Sequence, residues 1–313
     1  MSNSFAFVFP GQGSQAVGML DAWGDHPEVV RTLAEASAAL GEDIGALIKN
    51  GPKDQLDLTT NTQPVMLTAG IACYRAWIAE TGLKPAAAAG HSLGEYTALV
   101  ASGALDLADA LPLVRLRAQA MQDAVPVGAG AMYAILGLDG DAVREGCARA
   151  AAESGEVVEA VNFNDPKQTV IAGSKAGAEK AAEILKAAGA KRALPLPVSA
   201  PFHSSLMRPA AERLRERLAM VSFAPQAFPV INNIDVAVTD NADALRDALY
   251  RQAFGPVRWV EVIQALKARG LTRIIECGPG KVLSGMVKRI DAELVSTTVL
   301  DPASLTEAKT LLG

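Results

Sequence analysis

Cysteine is scarce in this sequence of 313 residues, and the three that occur are far apart: Cys73, Cys147 and Cys277. Their number is odd and they form no Cys-x-x-Cys pair, which argues against a disulfide framework or a zinc knuckle. A chain of this length buries roughly three quarters of its unfolded surface, so it needs neither disulfides nor a structural metal for stability. We therefore expect three buried free thiols in a reducing compartment.

Long apolar runs and an excess of positive charge are also missing. The apolar window 65–73 is about half as long as a membrane span requires. The apolar run 5–9 stops at Pro10, which is too short for a signal peptide. The net charge is -5, whereas nucleic-acid binding usually requires a basic face. These absences predict a cytoplasmic protein that binds neither a membrane nor nucleic acid.

The pattern of apolar residues predicts an α/β fold. Strand candidates and helix candidates alternate at both ends of the chain, which is typical of a parallel sheet covered by helices. Between them, strand-like and helix-like segments follow in the order βαββαβ of a ferredoxin-like unit. We therefore expect an α/β core formed by residues 1–126 and 198–313, interrupted by a subdomain at 127–197.

The clearest chemical signal is Gly90-His91-Ser92-Leu93-Gly94, a G-x-S-x-G motif between a strand candidate at 86–89 and a helix candidate at 94–102. Such a turn lifts a serine nucleophile into the open, and its glycines let neighbouring backbone approach. The N–H of Leu93 is an expected oxyanion donor, because it begins the following helix. The alternative is a chance pentapeptide in a helix-capping turn.

A serine hydroxyl needs a base, and the sequence contains only three histidines. His91 adjoins the serine, so its side chain is expected to point away, and His26 precedes Pro27 where it can cap a helix. His203 remains as the candidate base. About a third of the chain follows it, and no aspartate stands out to orient its ring, which departs from the hydrolase order of Ser, Asp and His.

A glycine-rich loop, Gly11-Gln12-Gly13, follows the first strand candidate. It matches a dinucleotide fingerprint only in degenerate form, since the expected acidic strand end is replaced by a helix candidate at 27–40. The alternative is a loop that brings backbone N–H groups close to a ligand and supplies a second oxyanion donor.

Several motifs occur in a fixed order: FPGQGSQ at 9–15, TQP at 62–64, GHSLGEY at 90–96, VRLRAQAMQ at 114–122, VNFN at 161–164, APFHSSLM at 200–207 and ECGPGKVL at 276–283. Over nearly the whole chain, this set resembles the malonyl-CoA:acyl carrier protein transacylases of bacterial fatty acid synthesis. The resemblance implies an α/β-hydrolase-like core interrupted by a ferredoxin-like subdomain, in agreement with the pattern above.

The resemblance also implies catalytic roles. Ser92 would carry the malonyl group, and His203 would act as general base and then as general acid. The backbone carbonyl of Gln252 would orient the histidine, which would explain the missing aspartate. The N–H groups of Gln12 and Leu93 would form the oxyanion hole.

For the substrate, the resemblance implies that Arg117 clamps the free carboxylate of malonate. Further substrate-binding positions would be Gln63, Met121, Phe202 and Asn162. Phe202 resembles the family variant associated with malonyl rather than methylmalonyl groups. The implied substrate is a coenzyme A thioester, and no metal or redox cofactor is implied.

Helical periodicity alone does not choose between two arginines on the helix candidate 106–124. Arg115 and Arg117 flank its apolar stripe on opposite sides. Without the motif, both are read as solvated side chains that snorkel along the stripe. A guanidinium that clamps a carboxylate makes two charge-assisted bonds, and such a site rejects acyl groups that lack the charge.

Other functions stay open at this stage. A hydrolase would use the same serine with water as acceptor, and a binding module would hold coenzyme A or a dinucleotide without chemistry. A transacylase could also serve malonate decarboxylase or polyketide synthesis. The expected partners are malonyl-CoA and an acidic acyl carrier protein, with a monomer as the expected state. Candidate docking cations are Lys186, Lys191, Arg192, Lys281, Lys288 and Arg289.

Overall fold

The computed structural model describes residues 4–198 and 200–313. Residues 1–3 of the predicted core, and residue 199, lie outside the described residues. The described strands are β1 (Ala6–Phe9), β2 (Ala87–Gly90), β3 (Gly130–Leu136), β4 (Val158–Asp165), β5 (Gln168–Ser174), β6 (Arg192–Pro195), β7 (Val230–Ile231), β8 (Arg273–Cys277) and β9 (Val295–Val299).

The described α-helices are α1 (Pro27–Leu40), α2 (Ile44–Asn50), α3 (Lys53–Leu56), α4 (Thr59–Thr81), α5 (Leu93–Ala101), α6 (Leu107–Asp123), α7 (Gly140–Ser154), α8 (Lys175–Ala187), α9 (Arg208–Leu218), α10 (Ala242–Gln252), α11 (Trp259–Ala268), α12 (Val282–Ile290) and α13 (Pro302–Leu312). None of the helices within 4–198 and 200–313 is long and apolar enough to cross a membrane.

The larger sheet has the strand order β7-β2-β1-β8-β9, and all of its recorded pairings are parallel. Successive side chains of β1 point to opposite faces, as a strand requires. Phe5, Phe7 and Phe9 pack with α4, where Trp77 meets Phe7 edge to face at 5.6 Å between ring centroids. Ala6 and Val8 belong to the core on the other face of the sheet. The sheet is therefore covered on both faces, which parallel strands require.

The smaller sheet has the order β4-β5-β3-β6, and all of its pairings are antiparallel. Its elements follow in the chain order β3-α7-β4-β5-α8-β6, so the predicted βαββαβ unit is confirmed. Val143 of α7 and Leu185 of α8 pack with Ile135 and Ile171 of the strands. The sheet lies inside the predicted subdomain, whose boundaries at 127 and 197 stay a prediction.

Backbone hydrogen bonds join this sheet to the core at β4. The N–H of Phe163 donates to the carbonyl of Val257 at 3.0 Å, and the N–H of Val257 donates to the carbonyl of Val161 at 2.8 Å. The loop before α11 therefore lies along β4 like a short extra strand.

The apolar pattern also predicts helices over 62–81 and 204–219, and the boundaries of both differ in the structure. Helix α4 begins at Thr59 rather than Thr62, so that Pro64 lies within the helix and not in its first turn. The helix predicted over 204–219 is a 3-10 turn, Ser205–Met207, followed by α9, because Pro209 fits best in the first turn of a new helix. The motif search did not anticipate α2, α3, β9 and α13.

Candidate active site

Ser92 lies at a tight turn between β2 and α5, with φ at 53°. A Cβ on Gly90 would lie 1.9 Å from the backbone of Gly94, and a Cβ on Gly94 would lie 2.0 Å from the carbonyl oxygen of Phe9. Neither clash can be relieved by moving a side chain, so both glycines of the motif are required for the turn to close against β1. The turn holds the serine in a conformation that side chains rarely adopt.

The hydroxyl of Ser92 and the ring of His203 are in direct contact, with 2.7 Å between Oγ and Nε2. On the other side of the ring, Nδ1 lies 2.9 Å from the carbonyl oxygen of Gln252 and 3.2 Å from that of Gly255. Carbonyl oxygens only accept, so Nδ1 carries the proton and Nε2 presents its lone pair to the serine. The structure thus brings together the predicted serine, histidine and orienting carbonyl.

The environment of His203 holds its ring neutral. Burial, followed by the positive charge of Arg117, lowers the pKa of His203 from 6.5 to about 3. The two carbonyl oxygens at Nδ1 act in the opposite direction but are outweighed. A neutral imidazole is the form that can accept the serine proton.

The other two histidines have different partners. His26 accepts a hydrogen bond from the N–H of Glu28 and caps α1, as predicted. The ring of His91 lies 2.8 Å from the side-chain oxygen of Asn164, measured from Nε2. Burial lowers the pKa of His91. The base candidate is therefore His203 on geometry as well as by elimination.

Gln12 and Leu93, the predicted oxyanion residues, both line the cavity above Ser92. Neither backbone N–H donates to another group within residues 4–198 and 200–313. The side-chain oxygen of Gln12 accepts a hydrogen bond from Thr59 at 2.7 Å, which fixes the loop after β1 to the start of α4. Both N–H groups are thus free to bind an oxyanion.

Arg117 is buried at the base of the site, with only 2% of its surface exposed. Its guanidinium donates to Gln63 Oε1 at 2.7 Å, to Ser92 Oγ at 3.1 Å and to Gln252 Oε1 at 3.2 Å. Arg115, by contrast, pairs with Glu42 near the surface. The structure therefore separates the two arginines that periodicity left equivalent, and only Arg117 reaches the serine.

The cavity has a volume of about 470 Å³ and lies between the two sheets. Gln63, Met121, Phe202 and Asn162, the other predicted substrate-binding residues, all line it. The side-chain oxygen of Asn162 is buried and has no hydrogen-bond partner in the described part of the chain. An unpaired acceptor on a cavity wall suits an N–H donor on a ligand.

Two polar residues beneath the turn, Glu95 and Asn233, were not predicted from the sequence as part of the site. Glu95 is 2% exposed and accepts hydrogen bonds from the N–H of Asn233 at 2.8 Å and from Gln252 Nε2 at 3.0 Å. Asn233 is fully buried; its side chain accepts from the N–H of Ser92 at 2.8 Å and donates to the carbonyl of Gly90 at 2.7 Å. The position of Glu95 inside the GHSLGEY motif was the available signal; nothing in the sequence marked Asn233.

None of the six candidate docking cations lines the cavity, as far as the described residues show. Arg289 forms an ion pair with Asp165, with 2.7 Å between Nε and Oδ2. Lys53 of α3, which was not predicted, does line the cavity. The docking role of the six cations stays a prediction.

A family model described as the acyl transferase domain matches residues 6–299. This chain belongs to that family. The malonyl CoA-acyl carrier protein transacylase of Escherichia coli strain K12 is 52% identical to this acyl transferase over 305 residues, which is 97% of this chain and 98% of the relative. The Bacillus subtilis protein of the same name is 45% identical over 305 residues, covering 97% and 95%.

Solved structures agree. The acyl-carrier-protein S-malonyltransferase of Burkholderia pseudomallei is 65% identical to this acyl transferase, with a TM-score of 0.96 over 98% of this chain and 99% of the other. A malonyl transacylase solved in complex with a type II polyketide acyl carrier protein is 48% identical, with a TM-score of 0.95 over 97% and 98%. The family resemblance predicted from the motifs and the predicted fold class are confirmed.

Proposed function

We propose that this acyl transferase moves the malonyl group of malonyl-CoA to the phosphopantetheine thiol of an acyl carrier protein. The observation that carries the proposal is the position of Arg117, whose guanidinium lies 3.1 Å from Ser92 Oγ in a buried site. A single methylene separates the thioester carbonyl of malonyl-CoA from its carboxylate. A clamp for that carboxylate must therefore lie beside the nucleophile.

In the first half-reaction, Ser92 Oγ attacks the thioester carbon while its proton passes to His203 Nε2. The oxyanion binds the N–H groups of Gln12 and Leu93, each expected to lower the barrier by about 3 kcal/mol. The carbon–sulfur bond then breaks, and the coenzyme A thiolate takes the proton from Nε2. The products are a malonyl-serine ester and free coenzyme A.

The second half-reaction runs the same path in reverse with a different thiol. His203 removes the proton of the phosphopantetheine thiol, and the sulfur attacks the serine ester. Collapse of the oxyanion breaks the bond between Ser92 Oγ and the acyl carbon, and His203 Nε2 returns the proton to Oγ. The exchange changes no oxidation state, so the serine, the histidine and the N–H groups supply its chemistry, with ping-pong kinetics expected.

A hydrolase with the same serine is the rival that the assay must separate. We would incubate the protein with malonyl-CoA, with and without holo acyl carrier protein, and measure malonyl carrier, free malonate and coenzyme A. Malonyl carrier formed much faster than free malonate supports the proposal. Free malonate formed at the same rate in both mixtures would show a hydrolase, and no release of coenzyme A would show a binding module.

The pathway is a further proposal. We propose fatty acid synthesis in the cytoplasm as the pathway, because the motif set resembles the transacylases of that pathway and the relatives from Escherichia coli and Bacillus subtilis are named for transfer to acyl carrier protein. The 48% identity to the transacylase bound to a polyketide carrier supports a polyketide carrier as second acceptor. Transfer rates measured in parallel with the two kinds of carrier protein distinguish these acceptors.

A further inference from the structure

The side chain of Gln252 connects three groups of the site, in addition to the backbone carbonyl that contacts His203. Its Nε2 donates to the carbonyl of Ser92 at 3.0 Å and to Glu95 Oε2 at 3.0 Å. Its Oε1 accepts from the guanidinium of Arg117 at 3.2 Å. The side chain is fully buried, so water cannot replace these partners.

These partners allow only one orientation of the amide. Turned by half a rotation, the NH₂ group would face the donors of Arg117, and the oxygen would face the Ser92 carbonyl and the Glu95 carboxylate. Donor would then oppose donor and acceptor would oppose acceptor in a buried place, which costs the full desolvation of each group. The carboxylate of Glu95 therefore helps to decide which face of the amide meets Arg117.

Glu95 is itself fixed to the serine turn. It belongs to the first turn of α5, three residues after Ser92, where a carboxylate suits the helix N-terminus. The N–H of Asn233 donates to the same oxygen that accepts from Gln252. Because Asn233 also bonds to Ser92 and Gly90, the carboxylate moves with the nucleophile.

We propose that Glu95 is a positioning residue for malonyl selectivity: it holds the Gln252 amide, which in turn aims the Arg117 guanidinium at the substrate carboxylate. Glu95 does not contact the substrate. The inference rests on the proposed function, since it deepens the role of Arg117 in the same site.

The consequence is specific to malonyl groups. An acetyl group has no carboxylate and does not need an aimed guanidinium, whereas both acyl groups need Ser92 and His203. Loss of the Glu95 acceptor should therefore lower malonyl loading far more than acetyl loading. A merely structural role for Glu95 would lower both rates by the same factor, because the serine turn serves both substrates.

The test compares the rates of malonyl and acetyl loading from the two coenzyme A thioesters. Glu95→Leu removes the acceptor, and Glu95→Asp retains the carboxyl group but shortens the reach toward Gln252. We expect the malonyl-to-acetyl ratio of kcat/KM to fall about tenfold or more in both, since a misplacement of 1 Å can cost about a hundredfold. Glu95→Gln retains an oxygen for both donors and should keep the ratio within about threefold of wild type.

Glu276→Leu is the matched control, because it removes another buried carboxyl group of the core, one that lies on β8 and accepts hydrogen bonds from the backbone N–H and the hydroxyl of Ser284. Its ratio should equal that of wild type, and thermal unfolding identifies any variant that does not fold. If Glu95→Leu does not fold, Glu95→Asp carries the test. An unchanged ratio in the folded variants, or equal losses for both substrates, overturns the proposal. Wild-type protein that loads no malonyl group would instead overturn the proposed function, and this inference with it.

Discussion

At the residue scale, Arg117 is the group whose surroundings are most specific. Its terminal nitrogens donate to three acceptors. The central carbon of the guanidinium lies 5.4 Å from the centre of the Tyr96 ring, and Nε has no hydrogen-bond partner in the described structure. A buried guanidinium requires a negative partner to offset its desolvation. The malonyl carboxylate would supply that charge and replace the bond to Ser92.

Replacement of this guanidinium should abolish malonyl selectivity. In Arg117→Ala we expect kcat/KM for malonyl-CoA to fall by about 10⁴, while acetyl transfer gains relative to it. Arg115→Ala is the matched control, because Arg115 lies two residues away and pairs with Glu42. The measurement is the steady-state rate with each thioester. An unchanged kcat/KM for malonyl-CoA in Arg117→Ala would show that Arg117 does not bind the substrate carboxylate.

His203 provides a spectroscopic test. Because burial and Arg117 lower its pKa to about 3, the ring should stay neutral, with its proton on Nδ1, from pH 8 down to pH 5. Nitrogen-edited NMR of the ring reads the protonation of each nitrogen directly. A transition to imidazolium with a midpoint between pH 5 and 7 would show that the ring is less shielded than the geometry indicates.

At the scale of elements, the serine turn depends on two glycines, Gly90 and Gly94, at which a Cβ would clash with backbone atoms. Gly94→Ala should prevent the close approach of α5 to β1, because its Cβ would lie 2.0 Å from the Phe9 carbonyl oxygen. We expect a lower melting temperature together with loss of serine acylation. Gly45→Ala in α2 is the control, since its nearest contact is at 3.4 Å and alanine favours a helix. A Gly94→Ala protein with wild-type melting and acylation would contradict this account of the turn.

Elements with a strong local signal were predictable. The helix candidate at 27–40 coincides with α1, which begins at Pro27 and ends before Gly41, and the four strands and two helices of the βαββαβ unit were predicted in order. Weak local signals failed. Among the described residues, helix α3 has four residues and no side-chain cap, and β9 is a five-residue strand at the edge of the larger sheet, where it pairs with β8. Such elements form because of tertiary contacts, which a local pattern does not record.

The same limit applies to the site. Ser92 and His203 were found because a motif and a count of histidines singled them out, and the family motifs added Arg117 and Gln252. Asn233 lies 141 residues from Ser92 in the chain, in a segment without a motif. Its role arises from the parallel pairing of β7 with β2, which brings the loop after β7 under the serine turn. Only the sheet order reveals this contact.

At the scale of the whole molecule, the reacting groups lie where the two sheets meet. The core supplies Ser92, His203 and Arg117, and β4 of the smaller sheet supplies Asn162 and also Asn164, which contacts His91. The ion pair of Asp165 with Arg289 joins the two parts beside this junction. The position of the smaller sheet therefore determines the shape of the cavity.

Burial of the Glu95 carboxyl group beneath the serine turn should appear in the stability of the whole chain. Burial raises the pKa of Glu95 from 4.5 to about 7, although hydrogen bonds from Gln252 and Asn233 act against it. Between pH 4.5 and about pH 7, Glu95 is therefore protonated in the folded chain and ionised in the unfolded chain. The free energy of unfolding should therefore fall by about 3 kcal/mol as the pH rises through this window.

The Glu95→Gln variant isolates this contribution, because it lacks the titrating group and keeps an oxygen acceptor. Denaturant unfolding of both proteins at pH 4.5 and 7.5 should show that the wild type loses stability relative to the variant as the pH rises. If the free energy of unfolding changes by the same amount with pH in both proteins, Glu95 has the same pKa in the folded chain as in the unfolded one.

The central claim, that Ser92 carries the malonyl group, is tested most directly by mass spectrometry of the protein after brief exposure to malonyl-CoA. We predict a mass increase of one malonyl group, on the peptide that contains Ser92, discharged by holo acyl carrier protein and absent in Ser92→Ala. An adduct on another residue, or one that persists in Ser92→Ala, would contradict the account.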